Sequence, residues 1–132
     1  MTRQSGDSEK GRAGPGDQAP PPVAVQKCYD LVLYLLQRIE KFPRAHKFTV
    51  GDRLAAAVLD VLEDLVAAAY SRDKRELLGR ANLRLHRVRF LVRLAKDLRA
   101  LPLGSYEHAA ERIDEVGRLV GGWRRSRGGG AR

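Results

Sequence analysis

Apolar residues recur at intervals of three or four between residues 23 and 123, the spacing of helices that bury one face. No stretch alternates apolar and polar residues with a period of two, so no β-strand is predicted. Four helices are predicted, beginning near Val23, Thr49, Arg72 and Ser105. Short connections join them, so successive helices should run antiparallel. The pattern therefore predicts an all-α protein, an up-and-down antiparallel four-helix bundle.

Each predicted helix has one apolar stripe that should face the core. The predicted stripes are Val25, Cys28, Leu31, Val32, Leu35, Leu36 and Ile39; Leu54, Val58, Val61, Leu62, Leu65 and Ala69; Leu77, Ala81, Leu85, Val88, Val92 and Ala95; and Ala109, Ile113, Val116, Leu119 and Val120.

Helix-breaking and capping residues predict where the helices end. Pro43 should end the first helix near Phe42, because proline disfavours helical geometry in the residue before it. Phe48 is predicted to pack over the first turn of the second helix. Glycines at 121 and 122 should stop the fourth helix just before the tryptophan that follows. The predicted N-caps are Thr49 for the second helix, Ser71 or Asp73 for the third, and Ser105 for the fourth.

The two ends of the chain differ in composition from the middle. Residues 1–22 hold no aliphatic or aromatic residue larger than Ala after Met1, so they are predicted to form a disordered arm. Residues 124–132 are mainly Arg and Gly and are predicted to be a flexible basic tail. The bundle is predicted to span residues 23–123. Because neither a secretory signal nor an apolar run of about 20 residues is present, a cytoplasmic protein without membrane contact is predicted.

Charge changes the picture, because it is segregated by helix. The chain has 25 basic and 16 acidic residues, a net charge of +9. Residues 49–71 carry one base and four acids, whereas residues 72–101 carry ten bases and three acids. A body with one basic helix suits a polyanion on that face, or the acidic surface of a partner protein.

The third helix carries the candidate binding residues. Arg80, Arg84 and Arg87 fall on successive turns without carboxylates beside them in the sequence, which favours an anionic partner; a solvated charged face is the alternative. The candidate partner- or nucleic-acid-binding residues are Arg75, Arg80, Arg84, Arg87, Arg89, Arg93 and Lys96, with Arg124, Arg125 and Arg127 as phosphate contacts from the tail.

A second apolar seam on the third helix lies about 120° or more from the predicted core stripe. It consists of Leu83, Phe90, Leu94 and Leu101. One core contact does not need this much apolar surface, so the seam predicts an interface between copies of the chain.

The sequence offers little for catalysis. His46, His86 and His108 lie in different elements, without the spacing of a metal-binding or catalytic pair. Cys28 is the single cysteine and is predicted to be a small buried hydrophobe. No catalytic residue, metal or cofactor is predicted, and the protein is not expected to be an enzyme.

Several segments resemble the accessory variability determinant of diversity-generating retroelements. The most specific are EKFPR, YSRDK, and RFLVRLAKDL followed by the YEHA helix, and the similarity covers nearly all of residues 23–123. The wider relatives are four-helix proteins encoded in intervening sequences of ribosomal RNA genes.

This resemblance implies a small basic bundle that assembles into a pentameric barrel. It also implies binding to the retroelement's reverse transcriptase and to RNA or DNA, in support of error-prone copying of a template-repeat RNA. The alternative function is that of a structural RNA-binding bundle of the ribosomal intervening-sequence type, without a polymerase partner.

Overall fold

The computed structural model describes residues 22–126 as four long helices and a short helical corner. The helices are α1 (Val23–Ile39), α2 (Asp52–Ala69), α3 (Arg75–Asp97) and α4 (Leu103–Arg124). Helices α1 and α3 each pack mainly against α2 and α4. No strand occurs in this part of the chain. The predicted all-α four-helix bundle is therefore confirmed.

The core consists mainly of residues from the predicted stripes. The residues predicted to be buried and found so are Cys28, Leu31, Val32, Leu35, Ile39, Leu54, Val58, Val61, Leu65, Ala81, Leu85, Val88, Val92, Ala95, Ala109, Ile113, Val116 and Val120. On α3, Leu78 is fully buried while Leu77 is only half-buried. Burial of the aliphatic side chains from all four helices in one cluster is the main source of stability.

The connection from α1 to α2 differs from the prediction. Helix α1 ends at Ile39, and the chain then forms a helical turn (Arg44–His46) and a π-helical segment (Lys47–Gly51) that runs directly into α2. Thr49 is not an N-cap, because the backbone is already helical there; its hydroxyl donates to the carbonyl of His46 at 3.3 Å. Phe48 does not pack over α2 and is 64% exposed.

Gly51 lets this corner pack tightly against the end of α1. A Cβ at this position would lie 3.2 Å from Cγ2 of Ile39 and 3.4 Å from Cδ2 of Phe42. The close approach buries Gly51 and Val50 on the inner side of the corner. Phe48 therefore lies on the outer side.

Helix α3 ends in a Schellman motif without glycine. Arg99 has a positive φ of 63°. The amide of Ala100 donates to the carbonyl of Ala95 at 2.9 Å, and that of Arg99 donates to Lys96 at 2.9 Å. These bonds satisfy carbonyls at the helix end and turn the chain sharply towards α4.

Both ends of α4 also differ from the prediction. Pro102, with a ψ of 154°, is the N-cap residue, so Ser105 lies within the helix and does not cap it. Gly121 and Gly122 do not stop the helix, which continues to Arg124. No glycine in the described residues has a positive φ, so both glycines keep helical geometry.

The predicted arm and most of the predicted tail, residues 1–21 and 127–132, lie outside the residues that the structure describes. Within residues 22–126, no helix combines the length and the apolar character needed to cross a membrane.

Candidate interaction surface of helix α3

Helix α3 carries a row of exposed apolar side chains, here named the α3 stripe. The stripe consists of Leu83, Phe90, Leu94 and Leu98, all at least 41% exposed. Their spacing of seven, four and four places them on one side of the helix. Buried residues such as Leu85 and Val92 lie on the opposite side, in the core. The outward side is therefore apolar although the bundle core does not use it.

Leu101 does not belong to this row, contrary to the prediction. It is 2% exposed and joins the core cluster. The physical reason is that α3 ends at Asp97, and the positive φ of Arg99 redirects the chain. A helical wheel no longer describes residue 101, and Leu98 occupies the exposed position instead.

The row of Arg80 and Arg84 is not left without carboxylates, which corrects the premise drawn from the sequence. Asp64 on α2 is buried and lies between the two guanidiniums. Arg84 NH1 lies 3.0 Å from Asp64 Oδ2, and Arg80 NH2 lies 3.1 Å from Oδ1. These pairs join the acidic helix to the basic one. Two of the three predicted arginines therefore already share a carboxylate partner within the bundle, although the single charge of Asp64 balances only one of their two positive charges.

Arg87 differs from its two neighbours. It is exposed, and it forms no ion pair or hydrogen bond with any residue in the described range 22–126. By helical spacing it lies between Leu83 and Phe90 on the outward side. An unpaired guanidinium within an apolar row resembles the composition of a protein-binding surface, where Arg and aromatic residues are enriched.

The remaining basic residues of α3 face α4 or the carboxylate at the end of their own helix. Arg89 NH2 lies 2.9 Å from Asp114 Oδ1 on α4. Arg93 and Lys96 both approach Asp97, and Lys96 Nζ also lies 4.8 Å from the ring centroid of Tyr106. These exposed or half-exposed pairs contribute little to stability.

Further candidates lie at the other end of α3. The N-cap residue of α3 is Lys74, so neither predicted cap, Ser71 or Asp73, occupies that position. The backbone amide of Arg75 nevertheless donates to Asp73 Oδ1 at 3.3 Å, so Asp73 satisfies one amide at the start of the helix. Arg124 belongs to α4 and not to a tail, and its guanidinium packs over Gly79 on α3. Arg125 is exposed, and Arg127 lies outside the described residues.

The histidines contact arginines and an aromatic ring. His108 Nε2 accepts a hydrogen bond from Arg112 Nε at 2.7 Å, and its ring lies 4.5 Å from that of Tyr34. His86 Nδ1 lies 3.4 Å from Arg89 NH1. Burial raises the pKa of the Cys28 thiol to about 12, so this thiol stays protonated at neutral pH. Among residues 22–126, no three His, Cys, Asp or Glu side chains form a group that could hold a metal ion.

Two features of this surface were not predicted from the sequence. Asp64 could have been suspected, since a carboxylate close to the apolar stripe of α2 needs a cationic partner. Leu98 could have been included only if the end of α3 had been located correctly. Asp64 and Leu98 are ordinary residue types, and their roles in this surface depend on tertiary packing.

Comparison with known proteins agrees with the similarity found in the sequence. A search of curated proteins finds no match to this chain. A family model described as bAvd-like matches residues 22–127, which includes all four helices and the whole α3 stripe. The chain therefore belongs to the bAvd-like family.

Proposed function

We propose that this protein is a non-catalytic accessory subunit of a diversity-generating retroelement, which binds the element's reverse transcriptase and nucleic acid and supports mutagenic copying of a template-repeat RNA. Membership of the bAvd-like family supports the accessory role. The observation that carries the proposal is the outward side of α3, where Arg87 lies within an exposed apolar row. Such a surface suits a protein partner better than solvent.

The α3 stripe is proposed to mediate self-association, which in the accessory determinants gives a pentamer. Apolar side chains of this exposure become favourable only when another surface covers them. The Leu94→Asp variant should therefore fall to the 14.7 kDa monomer in light scattering and keep its helical content. A wild-type protein that is already monomeric at micromolar concentration would remove the oligomer from the proposal. Loss of helix in the variant would assign Leu94 to the core.

Arg87 is proposed to bind the reverse transcriptase, with Arg80 and Arg84 oriented beside it by Asp64. Because Arg87 lies within the row proposed for self-association, light scattering on each Arg87 variant should first show the same oligomer as the wild type. The test is capture of the purified reverse transcriptase by Arg87→Lys, Arg87→Ala and Arg87→Glu variants. Capture should weaken in that order, because Lys keeps the charge but loses the planar donor geometry. All three variants should fold, since Arg87 has no partner among residues 22–126. Wild-type capture by a folded Arg87→Glu variant would refute this assignment.

Substitution of Arg80 or Arg84 tests the stability of the bundle as well as binding. A glutamate at either position would place a second carboxylate beside the buried Asp64, so these variants should lose stability as well as binding. Measurement of helical content and capture on the same samples separates the two effects. Arg80 and Arg84 are therefore poor positions for testing the contact alone.

Nucleic acid is proposed to bind through the excess of cations, with little dependence on sequence. If about six phosphates are neutralised, the plot of log affinity against log salt should have a slope of about −4 for single strands. Deletion of residues 124–132 should reduce the slope slightly without abolishing binding. A flat salt response would exclude this role. A protein that binds RNA but captures no reverse transcriptase would instead fit the structural RNA-binding bundles of the ribosomal intervening-sequence type.

A further inference from the structure

The corner between α1 and α2 presents an aromatic ring to solvent. Phe48 lies on the π-helical segment Lys47–Gly51, while Val50 and Gly51 are buried beneath it. A π-helical turn inside a helix is rare and occurs frequently at functional sites. Truncation of Phe48 would not open the core, because its side chain is exposed and does not belong to the core cluster. The ring therefore has no evident role in holding the bundle together.

Basic residues flank this ring in the sequence, and one of them lies close to it in space. Lys47 Nζ lies 6.0 Å from the centroid of the Phe48 ring. Lys41, Arg44 and Arg53 are exposed, and within residues 22–126 none of the four cations has a carboxylate within ion-pair distance. The carboxylates of the same segment are Glu40 and Asp52, so residues 40–53 carry an excess of two positive charges.

We propose that this corner binds an unpaired stretch of nucleic acid, with one base stacked on Phe48 and the adjoining phosphates contacted by Lys41, Arg44 and Lys47. The inference deepens the nucleic-acid part of the proposed function and rests on it. Stacking on exposed aromatic rings, flanked by cations that follow the backbone, is the general mode of single-strand binding.

The combination of charges and ring favours a single strand over other partners. A duplex keeps its bases stacked internally, so it would offer the cations its phosphates but would leave Phe48 without a partner. An acidic protein surface would pair with the cations, but it would contact a lone exposed ring without the repeated planar groups of a nucleic acid. The corner should therefore discriminate between single and double strands, which a basic patch alone does not.

The test compares binding of a fluorescein-labelled polyuridylate of about 15 nucleotides with binding of an RNA duplex of equal length, by fluorescence anisotropy at about 50 mM salt. Phe48→Ala should weaken binding of the single strand by about fivefold to 100-fold and change duplex binding by less than about twofold. Phe48→Trp should restore single-strand binding, and the fluorescence of the new indole should be quenched on stacking.

Tyr70→Ala is the matched control. Tyr70 is also a solvent-exposed aromatic residue, 85% accessible, and it follows the opposite end of α2, about 27 Å away by the rise of the helix. This variant should bind both probes like the wild type. Circular dichroism on every variant should report unchanged helical content, because neither ring is buried.

The possible results distinguish failure of the stacking site from failure of the proposed nucleic-acid role. If the folded Phe48→Ala variant binds the single strand like the wild type, the corner is not a stacking site, although the protein still binds nucleic acid. If Phe48→Ala loses capture of the reverse transcriptase but not of RNA, the corner is a protein contact and the inference is overturned. If the wild type binds neither probe, the nucleic-acid role and the stacking site both fail.

Discussion

Replacement of Asp64 by Asn would test whether the contact between α2 and α3 depends on a buried charge. The carboxylate accepts hydrogen bonds from Arg80 Nε at 3.2 Å and from Arg84 NH1 at 3.0 and 3.1 Å. Asn keeps the shape and one oxygen but removes the charge, and its NH2 group would face a guanidinium. Both arginines would then lose a charge-assisted partner.

The expected loss follows from the burial of the three side chains. Breaking a fully buried ion pair by removing one partner costs about 3 to 5 kcal/mol. Here the side chain of Asp64 is 4% exposed, but those of Arg80 and Arg84 are 48% and 30% exposed, so water can solvate the guanidiniums that remain. We therefore expect a loss of about 2 kcal/mol in the free energy of unfolding, or about 10 °C in Tm.

Urea denaturation followed by circular dichroism would measure this loss, at one protomer concentration for all variants because any self-association adds to the apparent stability. Asp114→Asn is the matched control, since Asp114 also pairs with an α3 arginine but is 58% exposed. Its loss should stay below about 1 kcal/mol and shrink in high salt, whereas that of Asp64→Asn should persist. Equal losses for the two variants would refute the argument that burial determines the contribution.

Three further predictions concern the thiol, the end of α3 and the corner. Burial raises the pKa of Cys28 from 9.0 to about 12, so as the pH rises the thiol of the unfolded chain ionises first. The stability of the wild type relative to Cys28→Ala should therefore fall by about 1.4 kcal/mol per pH unit above pH 9. A stability difference between the two proteins that stays constant from pH 7 to pH 11 would contradict this. Arg99→Gly should raise stability by about 0.5 kcal/mol in urea, because relief of the positive φ exceeds the added freedom of the unfolded chain. Gly51→Ala should lower stability by about 1 kcal/mol, since its Cβ would press on Ile39, whereas Gly104→Ala, with no atom within 4 Å, should not.

The helices and most of the core could be predicted from the sequence because the period of 3.6 residues decides which side of a helix is buried. Helix ends were less predictable. Thr49 and Ser105 are good capping residues, yet the backbone before each is already fixed by a proline-led turn, at Pro43 and Pro102. Capping propensity is a local property, and here the path of the chain between the helices determined where each helix begins.

The candidate surface was predicted in part. The exposed positions of Leu83, Phe90 and Leu94 follow from the wheel alone. The position of Leu101 was predicted wrongly because the end of α3 was not recognised. The left-handed residue that follows the helix is Arg99, whereas glycine is the usual residue there and is easily recognised in a sequence. The pairing of Asp64 with residues 16 and 20 positions further along the chain could not be deduced, since it depends on the relative height of two helices.

The spacing of the arginines on α3 also has a consequence for the alignment of the two helices. Arg80, Arg84 and Arg87 recur once per turn, so if α3 slid along α2 by one turn, about 5.4 Å, Asp64 would exchange one pair of guanidiniums for the next. The ion pairs alone therefore tolerate more than one register. The apolar side chains of α3 and the buried turn at Ala100 and Leu101 must select the native one.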